Sequence, residues 1–339
     1  MTKRECLLYK REKNYLVCFT CEKRCKIYDE QYGFCKTRKN LDGVLYTLIY
    51  GDISSISANP IEKKPFYHFY PGTYALTVGS WSCNFTCPWC QNHEISKHPE
   101  YSGRGKKIFP NEFINLMEFY KCQGTCISFN EPTLLLEYAI DVFKLAKKKK
   151  YYNTFVTNGY MTEDALKILY DSGLDAMNID IKGTEDIVKK YCSADLKKVW
   201  RNAILAEKLG IWIELTTLII PGINDKEVQI KNIAKRIKSD MGDDVPWHIT
   251  GYHPAYDFLN KKYVPPTPEV ILERCIEIAK SEGIKYTYIG NILEHKYQNT
   301  YCPSCKKVLI RRSGFDVVEN LFSANKLCPI CGYKINIIF

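Results

Sequence analysis

No stretch of this chain approaches the roughly eighteen uncharged apolar residues that a membrane-crossing helix requires. Its start, MTKRECLLYKREKNY, is charged where a secretory leader would be apolar, so the expected location is the cytoplasm. Long-period repeats and low-complexity tracts are also missing, which sets aside solenoids, propellers and disordered tails. Nor is there the interleaving of aromatic and basic residues that marks a nucleic-acid reader. What remains is a chain of 339 residues with 45% hydrophobic content, enough for one large globular domain with small appendages. The formal charge of +10 counts every thiol as neutral. Metal-bound thiols are thiolates; four-thiolate zinc sites at about −2 and a three-thiolate cluster at about −1 leave roughly +5. The basic excess is therefore a weak pointer to any anionic partner. Its densest piece, Lys147 to Lys150, ends a helical stretch, where cations face the negative end of the helix dipole.

Sixteen cysteines are too many for core filling, and their grouping points to metal rather than disulfides. Cys18, Cys21, Cys25 and Cys35 form one set, Cys83, Cys87 and Cys90 a second, and Cys302, Cys305, Cys328 and Cys331 a third. Cys6, Cys122, Cys126, Cys192 and Cys275 stand outside these groups and read as small buried side chains.

From Phe66 to about Asn291, short β-branched or apolar runs alternate with segments of helical period, the pattern of a parallel sheet with crossover helices. Strands are predicted at 74–78, 126–129, 154–157, 176–181, 212–219, 248–251 and 285–289, and helices at 111–121, 134–149, 163–171, 196–209, 226–239 and 268–281. Six strand–helix units fit, fewer than the eight of a closed barrel, so the expected class is α/β, a partial TIM-type (β/α)6 barrel. Three parts follow: a four-cysteine segment at 1–65, the barrel at 66–291, and a cysteine-knuckle segment at 292–339. Chemistry in such folds collects at the C-terminal ends of the strands. There the chain carries Asn130-Glu131-Pro132, Thr157-Asn158-Gly159, Asp180-Ile181-Lys182-Gly183, Pro221-Gly222-Ile223-Asn224-Asp225, His253-Pro254 and Gly290-Asn291. Any one of these is an ordinary turn composition; their recurrence on one rim is what suggests function.

Cys83-Asn-Phe-Thr-Cys87-Pro-Trp-Cys90 sets three thiols within eight residues directly after a predicted strand. Four-iron clusters normally take four thiolates, so three leave one iron open, as a catalytic metal keeps an open position. This spacing, with KKPFYHFYPGTYALTVGSWSCNFTCPWCQNHEIS around it and SFNEPT, TNGY, NIDIKG, LIIPGIND, PWHITGYHP and YIGN downstream, resembles the radical S-adenosylmethionine (SAM) superfamily. Within it the chain is similar to the radical SAM component of the AMMECR1–Memo–radical SAM system and to pyruvate formate-lyase activating enzymes. The likeness extends to CFTCEKRC, TYCPSC and CPICG near the two ends.

The resemblance implies a [4Fe–4S] cluster on Cys83, Cys87 and Cys90, whose open iron binds SAM. Reductive cleavage of SAM would then give a 5′-deoxyadenosyl radical that abstracts hydrogen from an unknown substrate. It implies that Trp89 packs near the adenine and that Ser128, Asn130 and Glu131 stand where activating enzymes carry a Gly-Gly-Glu segment for the methionyl amino group. Phe129-Asn130-Glu131 departs from that pattern, and Glu131 is the expected partner of the ammonium. Thr157, Asn158, Asp180 and Lys182 match strand-end positions that reach SAM or the site floor, with Lys182 paired either to the SAM carboxylate or to Asp180. Thr216 and Asn224 are expected around the ribose or carboxylate, while Asp225 reads equally as a helix cap. His248 and His253 are candidate acid–base or substrate-binding groups, with a structural histidine as the alternative for each.

The paired Cys-x-x-Cys knuckles at Cys302/Cys305 and Cys328/Cys331 suit tetrahedral zinc in a ribbon, or a rubredoxin-like iron. Lys306 replaces the glycine common after the first knuckle and Gly332 keeps it after the second. The uneven spacing of Cys18, Cys21, Cys25 and Cys35 admits zinc or an auxiliary iron–sulfur cluster. Expected partners are a reductant such as ferredoxin or flavodoxin, an unidentified substrate and, by resemblance, AMMECR1-like and Memo-like proteins. Alternatives are a glycyl-radical-enzyme activase and a zinc-ribbon protein that binds or modifies nucleic acid.

Overall fold

A computed structural model describes residues 3–322 and 326–339. An eight-stranded sheet organises it. Its strands in chain order are β1 (Ser55–Pro60), β2 (Tyr74–Gly79), β3 (Gly124–Ile127), β4 (Tyr152–Thr157), β5 (Ala176–Asp180), β6 (Trp212–Ile219), β7 (Trp247–Gly251) and β8 (Thr287–Gly290). Spatial order follows chain order from β8 at one edge to β1 at the other, so the sheet is open. Strands β2 to β8 run parallel and β1 pairs antiparallel with β2.

Helices α1 (Pro110–Phe119), α2 (Leu136–Lys148), α3 (Glu163–Asp171), α4 (Glu185–Cys192), α5 (Leu196–Lys208), α6 (Glu227–Met241) and α7 (Glu269–Ser281) supply the crossovers. The strands are near-continuously buried, as parallel strands covered by helices are. In α2 the residues Leu136, Ala139, Ile140, Val142, Phe143 and Ala146 face the core, and Lys147 and Lys148 close the last turn. Thr162 caps α3 by accepting from the Ala165 backbone amide, with Glu163 and Asp164 in its first turn. Among the described residues, no helix is long and apolar enough to cross a membrane.

Most predicted elements recur within two or three residues. The segment expected at 126–129 is strand only over Gly124–Ile127, because Phe129 has turned out of the sheet at φ +69°. Gly124 begins that strand because a Cβ there would stand 1.9 Å from the Tyr152 ring. Strand β1 and helix α4 were not foreseen. The first carries no alternation of buried and exposed residues, and the second is only eight residues long.

The N-terminal part folds as two small three-stranded antiparallel sheets, one of Arg4–Glu5, Val44–Thr47 and Arg38–Leu41, the other of Tyr9–Arg11, Tyr15–Cys18 and Lys26–Tyr28. Arg38 anchors it to the main body. Its guanidinium meets the Glu137 carboxylate of α2 at 2.9 and 2.8 Å, both side chains 1% exposed.

The C-terminal hairpin (Val308–Ser313 with Asp316–Asn320) is joined to the sheet by buried polar contacts. Arg312 donates to Tyr67 O and Gln298 O and lies 3.5 Å from Glu62. Beside it, His68 meets Asn336 O at 2.6 Å and the Tyr288 hydroxyl at 2.5 Å. Burial lowers the His68 pKa to about 4. An unfolded histidine titrates near about 6.5, so the unfolded chain binds the extra proton first and stability falls as pH drops from there toward 4. His68→Gln, which keeps hydrogen-bonding capacity, should flatten that slope by about 2 kcal/mol between pH 7.5 and pH 5, measured by urea unfolding of both proteins.

Candidate functional site

The C-terminal ends of β2 to β7 surround a cavity of about 410 Å³. Cys83, Cys87 and Cys90 lie on the loop after β2 and line it. From the strand ends opposite come Ser128, Asn130, Glu131, Thr157, Asn158, Asp180, Lys182 and Thr216; Trp89 and His253 also face it.

The loop reaches this position through Asn130, whose side chain accepts from Ser80 N at 2.9 Å and donates to Trp81 O and Ser82 O at 3.1 and 2.9 Å. Asn92 donates to Phe129 O at 2.6 Å from the far side. Cys90 Sγ stands 3.0 Å from Ser96 Oγ, and Cys83 Sγ accepts from Phe85 N at 3.4 Å. Cys87 lies 3.4 Å from the Cys192 thiol. Donation from Cys192, helped by Lys182 and Lys97, holds the Cys87 thiol below its ordinary range, whereas burial pushes Cys83 up to about 12. Three sulfur donors on one wall, with two ammonium groups nearby to balance thiolate charge, fit a cluster that leaves one iron facing the cavity.

Glu131 is buried at the centre of the opposite wall. Its Oε1 accepts from Thr133 N, Thr133 Oγ1 and Thr157 Oγ1 at 3.0, 2.5 and 2.7 Å, and its Oε2 from Asn158 N at 2.9 Å. Burial raises its pKa, and these four donors oppose that rise. The expected ammonium partner is thus also the hub of its own wall. Asn158 carries the order onward, donating to Asn84 Oδ1 at 2.7 Å. Lys182 is paired with Asp180 at 3.0 Å; burial alone would lower its pKa, and Asp180, with the Cys87 and Cys192 sulfurs nearby, more than reverses this.

Two expected site residues do not reach the cavity. Asn224 is fully buried and bonds Ile220 N and Leu218 O at 2.7 and 2.8 Å, so it shapes the turn after β6. His248 sits near the start of β7, where its Nε2 meets Glu214 at 2.6 Å between the Tyr67 and Tyr288 rings. A side chain at that level faces the core below the rim. His253 does line the cavity and contacts Asn291 O at 2.8 Å.

Sequence reasoning missed Asn178, Lys64 and Lys97. Asn178 accepts from Thr216 Oγ1 at 2.8 Å and donates to Pro65 O; an amide inside the apolar strand AMNID was the available signal. Lys64 is buried with its ammonium 4.5 Å from the Phe129 ring centroid, and Lys97 donates to Phe85 O at 2.7 Å. Lys64 lies in the stretch that opens with KKPFYHFYPG, where the resemblance assigns it no role, and Lys97 directly follows the end of that stretch.

The C-terminal sulfurs of Cys302, Cys305, Cys328 and Cys331 all lie within 4.8 Å of one another, with Cys302–Cys331 and Cys305–Cys328 at 3.6 Å. A metal bound at about 2.3 Å to four thiolates sets them about 3.8 Å apart, so the set fits one tetrahedral ion. Lys306 adopts φ +63° and Gly332 φ +73°, so the lysine occupies the left-handed position that glycine ordinarily takes after a knuckle.

Residues 82–234, which carry the three-cysteine loop and most of the cavity wall, match the radical SAM superfamily. The protein is a radical SAM superfamily enzyme, and that family implies a [4Fe–4S] cluster and SAM. More closely, it belongs to one family with the uncharacterized protein MJ0808 of Methanocaldococcus jannaschii, to which it is 40% identical over 99% of both chains. It is homologous to the pyruvate formate-lyase-activating enzyme of Clostridium pasteurianum, with 24% identity over 53% of this chain and 78% of that one. In fold it is similar to a radical SAM methyltransferase from Sphaerobacter thermophilus, with TM-score 0.51 and 11% identity over 66% of this chain and 67% of that chain.

Replacing Glu131 by Gln leaves one acceptor oxygen for donors that now use two, so an amide N–H must face either Asn158 N or the threonine groups. Glu131→Gln should cost about 2–3 kcal/mol of stability in urea unfolding, and Thr157→Val about 1 kcal/mol.

Proposed function

We propose that the chain cleaves SAM reductively at a [4Fe–4S] cluster held by Cys83, Cys87 and Cys90, and that hydrogen abstraction from a substrate follows. The observation that carries this reading is the cavity itself, where three thiols and the polar strand ends face one another across about 410 Å³. When bound, the cluster supplies one electron to SAM, which separates into methionine and a 5′-deoxyadenosyl radical.

The chain's own part is to hold and exclude. Trp89, packed on Phe258 and Tyr191 with centroids 5.7 and 5.6 Å away, offers a flat apolar wall for the adenine. Glu131 and Asp180 supply negative charge toward the methionyl ammonium, and Lys182 supplies positive charge toward its carboxylate. Ser128, Thr157, Asn158 and Thr216 offer hydroxyl and amide groups along the same wall. His253 lies at the mouth, suited to a hydrogen bond with substrate.

Within this reading the open sheet is a partial barrel at 66–291, flanked by metal-binding parts at 1–65 and 292–339, with zinc or iron in the latter. An activase reading, in which the hydrogen comes from a glycine of a partner enzyme, is favoured by homology to activating enzymes. AMMECR1-like and Memo-like proteins are proposed as partners in the same system, and a ferredoxin or flavodoxin as electron donor.

Anaerobically reconstituted protein given dithionite and SAM should form 5′-deoxyadenosine, and Cys87→Ala should lower the yield at least about a hundredfold. Iron-loaded, reduced protein that leaves SAM intact with and without candidate substrates would sink the proposal.

A further inference from the structure

We propose that Cys18, Cys21, Cys25 and Cys35 hold a second [4Fe–4S] cluster, fully ligated by protein, next to the loop that carries Cys83, Cys87 and Cys90. Among the described residues, the only cysteine group converging within 4.8 Å is the C-terminal one, so no three of these four sulfurs stand as close as a single zinc ion requires. They line one common cavity nonetheless, together with Asn84 and Arg38. Four thiolates closed around one ion at about 2.3 Å stand about 3.8 Å apart, whereas a cubane sets each cysteine on a different iron and spreads the sulfurs further.

The polar surroundings point the same way. Asn84 is fully buried, its Nδ2 has no hydrogen-bond partner, and that nitrogen faces the Cys21 sulfur. Phe34 N and Thr37 Oγ1 donate to Cys25 and Cys35 Sγ at 3.3 and 3.2 Å. Donors aimed at sulfur are what a thiolate cluster needs.

The two sets are also joined. Ser82, one residue before Cys83, donates its hydroxyl to Cys35 O at 2.6 Å, and Asn84, one residue after, faces Cys21. The Lys23 ammonium lies within the field of Cys21, Cys25 and Cys83 together. Cys25 is the partly exposed member, whereas Cys35 is buried and its carbonyl takes the Ser82 hydroxyl of the three-cysteine loop. An electron entering from a low-potential protein donor reduces this cluster by one and then passes to the cluster on Cys83, Cys87 and Cys90, with no proton moved. This relay rests on the function proposed above; the metal site does not.

The test is a Cys83→Ala/Cys87→Ala/Cys90→Ala variant of the full chain, reconstituted anaerobically with iron and sulfide. It should keep about four irons and four acid-labile sulfides per chain, and its reduced electron paramagnetic resonance signal should not change on adding SAM. Loss of all sulfide, or zinc that disappears with Cys21→Ser/Cys35→Ser, would overturn the site. Should the triple variant not fold, native mass spectrometry of the wild type decides between two cubanes and one cubane plus zinc. For the relay, Cys21→Ser/Cys35→Ser should cleave SAM at near wild-type rate with dithionite and at least about tenfold more slowly with reduced flavodoxin; equal rates with flavodoxin would overturn it.

Discussion

The Glu131 carboxylate, buried where β3 gives way to the next helix, orders much of the site. A carboxylate in such surroundings is tolerable only when its oxygens are met by donors, and those donors come from the turn that follows it and from the end of β4. Two strand ends are thereby held at one height. Asn158 then fixes Asn84, which sits on the three-cysteine loop and lines the cavity of the N-terminal cysteines. One negative charge thus ties two strand ends and the three-cysteine loop into one wall.

Positioning of this kind matters more here than acid–base chemistry. Radical chemistry is supplied by cofactors, and the protein contributes geometry and protection from water. The cavity accordingly carries paired charges, hydroxyls and amides, with His253 beside them. His248, the other candidate acid–base group, is bound to Glu214 beneath the rim, and Glu214 also accepts from Tyr67 N and His68 N. That assembly ties the sheet to the segment before β2 and, through His68 and Tyr288, to the C-terminal hairpin.

Much of this was legible in the sequence, for identifiable reasons. The parallel strands declare themselves because they are buried on both faces, and β6 is found at the bounds its composition predicts. The cysteine sets declare themselves by spacing. Thr157, Asn158, Asp180 and Lys182, which belong to strand-end motifs, line the cavity, as does Thr216 within β6. His248 misleads because sequence gives the level of a residue along a strand only to within a residue or two, and Asn224 because a turn asparagine serves its own backbone as readily as a ligand. Lys64, Lys97 and Asn178 escape because their importance lies in what stands opposite, which the motifs around Lys64 and Asn178 do not encode. Phe129 is a different case: a left-handed backbone at a bulky residue is invisible in composition, although the glycine expected there by resemblance was a hint.

The attachment of the first fifty residues has a consequence for how the molecule is made. The Arg38 guanidinium has its carboxylate partner at Glu137, the Cys35 carbonyl its donor at Ser82, and Thr162 holds Phe19 O. On a ribosome the N-terminal segment emerges first, yet each of these partners is synthesised tens to more than a hundred residues later. Contacts of such separation close late. The segment therefore spends its early life without a docking surface, its thiols open to solvent, and is sealed only when the sheet and helices behind it have formed.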